Sequence, residues 1–392
     1  MTDGTRRSFL LSPALLPAKS TFAQVQPPAR RPRVACILNA YFPNSHADVF
    51  MGRLLEGYRL NGVSHRPRVE VASLYVDQFP VDDMAREQAA EYGVKIFGSI
   101  AEALRLGGSK IAVDGVAIIG EHGKYPRTAR GNFQYPRWKH FDQVTKVMQT
   151  DGRVVPLLND KYFAYEWEDA KKMYDRVRQM RIPFLAGSTL PLTWRRPALE
   201  FRSGIELDEL LAVSFSDLEE HAYHAIELLQ AMAEKRRGGE TGVASVRCVE
   251  GPEVWKLAEK GEWSRGLLDA ALKTRVNAPP EDRGQLPQAI LVRYRDGLKA
   301  SILNLNHITR DYLFAAREKD RTAPHASCFY IQLQVHNHWG FMVRNFEELV
   351  LTGRIPNPAE RTLLANGIML AGLESRLQGQ KWLDTPHLDV RY

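Results

Sequence analysis

Cysteine is scarce: Cys36, Cys248 and Cys328 are the only three in 392 residues. They stand far apart and are odd in number, which rules out a disulfide framework and a CxxC metal knuckle. No HExxH or other tight metal-ligand spacing occurs. No apolar run is long enough to cross a membrane; residues 10–18 come nearest and are broken by Pro13 and Pro17. Positive charge is present without pattern. The 53 basic and 46 acidic residues leave +7, dispersed apart from short clusters such as Arg195-Arg196 and Lys235-Arg236-Arg237. A nucleic-acid partner would need a basic stripe with interleaved aromatics, and there is none. What remains, 44% hydrophobic and 25% charged, is an ordinary globular composition. The length suits about two domains at ~150 residues each.

The first residues stand apart. Thr5-Arg6-Arg7-Ser8-Phe9-Leu10-Leu11 resembles a twin-arginine export signal, and Thr21-Phe22-Ala23 offers a small-residue cleavage site. This predicts passage through the twin-arginine machinery to a periplasmic or extracellular location. The alternative is a disordered tail with a chance arginine pair on a cytoplasmic protein. Residues 1–30 are therefore read as export signal and linker.

Residues 153–191 organise the rest of the chain. An apolar run (154–158), an amphipathic helix (166–179, with Trp167, Ala170, Met173, Tyr174 and Val177) and a second apolar run (182–186) form a strand–helix–strand unit. Such a unit implies a parallel sheet with a right-handed crossover. Asp160 and Lys161 follow the first strand, where doubly wound sheets place ligands. On spacing alone Lys161 is either a functional cation or a solvated loop residue.

Upstream, residues 33–38 read as a first strand and 48–58 as its helix. The loop between them has no glycine before Gly52, so the G-x-G-x-x-G turn that lets a pyrophosphate approach is absent. Asn39, Asn44 and Ser45 are among its polar groups, and Asn44 or Ser45 could cap the helix while offering amides to phosphate. The strand at 69–76 ends in Asp77, placed either to bind ribose hydroxyls or to cap the next helix. A further strand (113–120) ends at Glu121-His122, facing the ligand crevice, as an acid–base pair or as backbone-bonded loop residues. Residues 123–138 show neither period and are too long for a connector, which suggests a lid.

Beyond residue 192, a helix over 217–229 puts Glu220, His224 and Glu227 in one stripe. Runs at 243–249, 289–294, 300–305 and 327–335 alternate like strands of a half-exposed, mostly antiparallel sheet. Helices at 346–352 and 359–378 complete the chain. His336 and His338, on one face of a strand, could grip a metal with Glu121, His122 or His224 as third ligand.

These passages resemble the Gfo/Idh/MocA oxidoreductases, the glucose–fructose oxidoreductase and inositol dehydrogenase group. Asp160-Lys161-Tyr162-Phe163-Ala164-Tyr165-Glu166-Trp167-Glu168-Asp169-Ala170 is similar to that family's E-K-P-L-A-x-T-x-E-E-A, with Asp for Glu and Tyr162 for Pro. Residues 89–104 follow A-x-x-Y-G-V-x-x-F-x-S-x-x-E-A-L, and Glu220 to Glu227 follow D-x-G-x-H-x-x-D with Ala222 for the glycine. In the alternative register, Asp217 pairs with His221. Glu121-His122-Gly123-Lys124-Tyr125-Pro126 replaces T-P-x-x-x-H.

The resemblance implies an α/β plus α+β protein: a Rossmann-like doubly wound parallel sheet over 31–190, then a large open, mostly antiparallel sheet over 191–392 for substrate and oligomerisation. It implies an NAD(P)-dependent oxidoreductase acting on a sugar, polyol or related hydroxy compound, and a homo-oligomer built on the exposed sheet face. Lys161 and His224 would be catalytic, the lysine with a lowered pKa if it serves as base. Glu121, His122, Glu220, Glu227 and His338 would bind substrate, and Asn39, Asn44, Ser45, Asp77 and Asp160 would hold NAD or NADP. Two other readings use the same residues: a cofactor-free carbohydrate-binding or scaffolding protein, favoured by the missing glycine turn, and a metal-dependent sugar lyase or hydrolase.

Overall fold

The computed structural model describes residues 30–281, 284–332 and 335–392. The twin-arginine motif and its cleavage site lie outside them. Residues Pro32–Tyr392 form a compact unit.

The first part contains β1 (Arg33–Leu38), α1 (His46–Leu55), β2 (Tyr58–Leu60), β3 (Val63–His65), β4 (Glu70–Val76), α2 (Ala85–Glu91), β5 (Lys95–Ile96) and α3 (Ile100–Arg105). It continues with β6 (Gly115–Ile119), α4 (Arg137–Asp151), β7 (Leu157–Asp160), α5 (Trp167–Met180) and β8 (Phe184–Gly187). Six of these strands make a wholly parallel sheet in the order β5-β4-β1-β6-β7-β8. Its central strands are continuous apolar runs because helices cover both faces. On one face Cys36 and Leu38 pack with Phe50 and Leu54 of α1; on the other Ile37 and Ile118 meet Leu104, Phe141 and Met173.

The remainder contains β9 (Trp194–Arg196), β10 (Leu207–Ser214), α6 (Glu220–Ala233), β11 (Val243–Glu250), α7 (Glu253–Glu259), α8 (Arg265–Leu272), β12 (Gln288–Tyr294) and β13 (Lys299–Asn304). After these come β14 (Tyr312–Glu318), β15 (His325–Tyr330), α9 (Trp339–Thr352), α10 (Ala359–Leu377) and β16 (Leu383–Asp384). Eight strands form a second sheet, β16-β11-β12-β13-β10-β14-β15-β9, antiparallel except for the β10–β13 pair. A Rossmann-like parallel sheet is thus followed by a large, mostly antiparallel one.

The structure corrects three expectations. The second sheet is not half-exposed: α6 and α10 cover one face, while Val254, Leu257, Trp263 and Leu267 of α7 and α8 bury Leu211, Val213, Leu291 and Leu303 on the other. The strand expected over 327–335 ends at Tyr330. His336 takes a left-handed φ of 47°, and Trp339 opens α9, so His336 and His338 sit in a turn and not on a strand. That helix starts seven residues before the expected 346, because Trp339, Met342 and Val343 pack with Phe346 against the first sheet.

Candidate active site

The C-terminal ends of β1, β6, β7 and β8 face the N-terminal half of α6, and a cavity of about 210 Å³ lies between them. Lys161 lines it. Directly after β7 its backbone turns left-handed, φ 63°, and its N–H donates to the Gly187 carbonyl at 3.0 Å. This turn directs the side chain inward. Its Nζ donates to Glu121 Oε1 at 2.8 Å and to the Glu220 carbonyl at 3.2 Å. Only 2% of the residue is exposed, so it is no solvated loop lysine. Burial pulls the ammonium pKa down more than any one neighbour lifts it, but Glu121, Glu220 and Asp160 together outweigh it and the net shift is upward. The expectation of a lowered pKa is thereby reversed: Lys161 is a charged donor at neutral pH.

Glu121 belongs to this ion pair and not to the solvent. It is also paired with the buried Arg137, whose guanidinium lies 3.9 Å from the centre of the Tyr162 ring. Burial alone would raise its pKa; Lys161 and Arg137 hold it well below the usual carboxylate range.

His224, on the first turns of α6, lines the cavity, with Nδ1 2.6 Å from Ser188 Oγ. Burial, then the charge of Lys161, pushes its pKa well below the ordinary value, so the imidazole is neutral. Glu220 also lines the cavity, with Oε1 accepting from Tyr135 Oη at 3.0 Å. Glu227 turns the other way. It accepts from the Ser188 N–H at 2.6 Å and from Thr362 Oγ1 at 2.9 Å. It braces the loop that carries Ser188. His122, with φ 66°, keeps Nε2 buried and without a hydrogen-bond partner, and burial lowers its pKa to about 4. His338 reaches the same cavity from the turn before α9.

Sequence reasoning missed His46. As first residue of α1 it bonds Asp160 Oδ2 through Nδ1 at 2.6 Å. Its ring centre lies 5.3 Å from that of His122, 6.2 Å from that of His224 and 4.6 Å from that of Trp339. A histidine opening the first helix of a doubly wound sheet is already at the ligand crevice, and that position was the available signal.

The five groups expected to hold a dinucleotide are committed elsewhere. Ser45 caps α1, accepting from the Asp48 and Phe42 N–H groups at 3.1 and 3.2 Å. The Asn44 N–H donates to Asp48 Oδ2 at 2.7 Å, placing a carboxylate at the helix end where a pyrophosphate would sit. Asn39 is fully buried and donates to the His122 carbonyl. Asp77 accepts from Tyr75 and Tyr125 at 3.0 and 2.7 Å, and Asp160 holds His46. These residues do not fit a dinucleotide.

A metal finds no better place on the histidine pair. Among the described residues, Asp217, Glu220 and His221 alone bring three ligand atoms within 4.8 Å of one another. There Asp217 precedes α6, accepting from the Glu219 and Glu220 N–H groups and pairing with His221.

Neither a protein-family model nor a curated protein matches the sequence. Solved structures do. Myo-inositol dehydrogenase from Lactobacillus casei, in complex with NAD(H) and myo-inositol, superposes with a TM-score of 0.58 at 12% identity, over 91% of this chain and 97% of that one. The fold is that of the inositol dehydrogenases. Scyllo-inositol dehydrogenase from the same organism, with bound NAD(H) and scyllo-inositol, gives 0.57 at 9% over 91% and 99%. GenD2 from gentamicin A biosynthesis, in complex with NAD, gives 0.57 at 12% over 95% and 99%. The Gfo/Idh/MocA resemblance is thus supported at the level of the inositol dehydrogenase fold.

Proposed function

We propose that the chain is an enzyme acting on a small polyhydroxylated compound of the sugar or polyol class, through proton transfer at a substrate oxygen or its neighbouring carbon. One observation carries this reading: a buried ammonium and two oriented imidazoles converge on a single cavity between the two sheets. Lys161, kept charged by Glu121, donates to the substrate oxygen on which negative charge develops. His224, neutral and fixed by Ser188, exchanges a proton with the substrate, and His46, held by Asp160, is the second group able to do so. The cavity volume of about 210 Å³ suits one hexose- or inositol-sized molecule. Inositols bound to two neighbours of this fold support the substrate class.

In dehydrogenases a nicotinamide supplies the hydride acceptor. The residues expected to hold it here are hydrogen-bonded to other residues of the chain and do not fit it. Export by the twin-arginine machinery to the periplasm belongs to the same proposal and rests on Arg6-Arg7 and the apolar run after them.

Calorimetry and turnover assays over a panel of sugars, inositols and their keto forms test the reading. Lys161→Met is expected to lose roughly 10²-fold or more in turnover. Equal turnover of wild type and variant would remove Lys161 from the mechanism. Binding without any turnover by wild type would favour a carbohydrate-binding protein.

A further inference from the structure

We infer that the reaction in this cavity is redox-neutral: a proton is moved between two faces, or two neighbouring carbons, of a sugar in its carbonyl form. The inference rests on the function proposed above and adds the reaction class. Two independent features carry it.

The first is what fills the crevice between β1 and β6. The segment after β6 is tied down along its whole length. The His122 carbonyl accepts from Asn39 at 3.3 Å, and the Lys124 backbone exchanges two hydrogen bonds with the Gln78 side chain at 2.8 and 3.1 Å. Tyr125 Oη donates to Asp77 Oδ2 at 2.7 Å. Further on, the Phe133 N–H donates to Glu219 at 2.8 Å, and Arg376 donates to the Arg130 carbonyl at 3.0 Å. Tyr125 therefore occupies the carboxylate that would bind an adenosine ribose. This segment is anchored to both halves of the molecule at the crevice where a doubly wound sheet takes its ligand, and is not a loose flap.

The second feature is a pair of bases. His46 and His224 stand 6.2 Å apart with ring planes 31° from parallel. Each has Nδ1 fixed by a partner, Asp160 or Ser188, at 2.6 Å. Both residues line the cavity that Lys161 also lines.

The step balances without an oxidant. One imidazole takes the proton from the carbon next to the carbonyl, and the C–H electron pair becomes the C=C bond of an enolate. The carbonyl pair moves onto oxygen, where the Lys161 ammonium stabilises it. The second imidazole, which enters the step protonated, gives its proton to the opposite face or to the adjoining carbon; the enolate pair forms the new C–H bond, the carbonyl reforms, and the two imidazoles exchange roles for the next turnover.

The test uses the full chain, without added nucleotide, in D₂O with a panel of aldoses, ketoses and keto-inositols followed by proton NMR. Deuterium is expected at the carbon next to the carbonyl. His46→Gln and His224→Gln, checked for an unchanged circular-dichroism melt, are each expected to slow exchange by about 10²-fold or more. In parallel calorimetry, NAD and NADP are expected to give no binding. Micromolar binding of either, or polyol-dependent reduction of either, would overturn the inference. Panel binding without deuterium uptake would overturn it too while leaving the proposed function standing. Neither binding nor uptake would sink both.

Discussion

The ionisable side chains around the cavity have their charges set by neighbours remote in sequence. Lys161 is an ammonium because Glu121, forty residues away, lies against it in a place with little water. Its position after a strand was legible in the sequence; its partner was not, since pairing across a whole crossover leaves no periodic trace. His338 is the reverse case, a histidine kept neutral. Burial, followed by the proximity of His336, lowers its pKa to about 3 from the ordinary 6.5. The folded state then binds fewer protons than the unfolded chain between those values, so this stability is complete above pH 6.5 and is lost as pH falls toward 3. His338→Asn has no such term. The stability of wild type relative to the variant should therefore drop by on the order of 2 kcal/mol between pH 7 and pH 5. Urea midpoints at both pH values measure it, and an unchanged difference would show that folding does not lower the His338 pKa.

At the scale of elements, apolar periodicity identified the parallel strands, and turn chemistry governed where it erred. Strands of three residues such as β2, β3 and β9 are too short to alternate detectably. The run after Tyr330 continues the alternation, yet the chain turns at His336. Gly187, which ends β8, shows how an element end serves the site. With φ 113° and a virtual Cβ 2.0 Å from Glu227 Oε1, it leaves space for the carboxylate that braces Ser188. Gly187→Ala is expected to cost at least ~2 kcal/mol in chemical denaturation. Gly62→Ala, also left-handed but with nothing within 4 Å, should cost only about 1 kcal/mol. Equal costs would mean that the backbone conformation alone matters and the carboxylate can move aside.

The whole molecule was legible as an order of layers, parallel then antiparallel. Its closure was not. The distant α9 returns to pack with α1 beneath the first sheet, and α7 and α8 roof the second; such contacts depend on three-dimensional packing that no local window contains. The three cysteines fall in three different layers: Cys36 between the first sheet, α1 and α9, Cys248 between the second sheet, α6 and α10, and Cys328 under α7 and α8. Burial pushes Cys36 and Cys248 up to about 12 and raises Cys328 as well, so none reacts until its layer opens. The molecule thus carries three native reporters of its own opening, one per layer, without any label being engineered. Pulsed alkylation and mass spectrometry below the unfolding midpoint should modify Cys328 first, since its cover is two helices of seven and eight residues. One common rate for all three thiols would mean that the layers open together, as a single cooperative body.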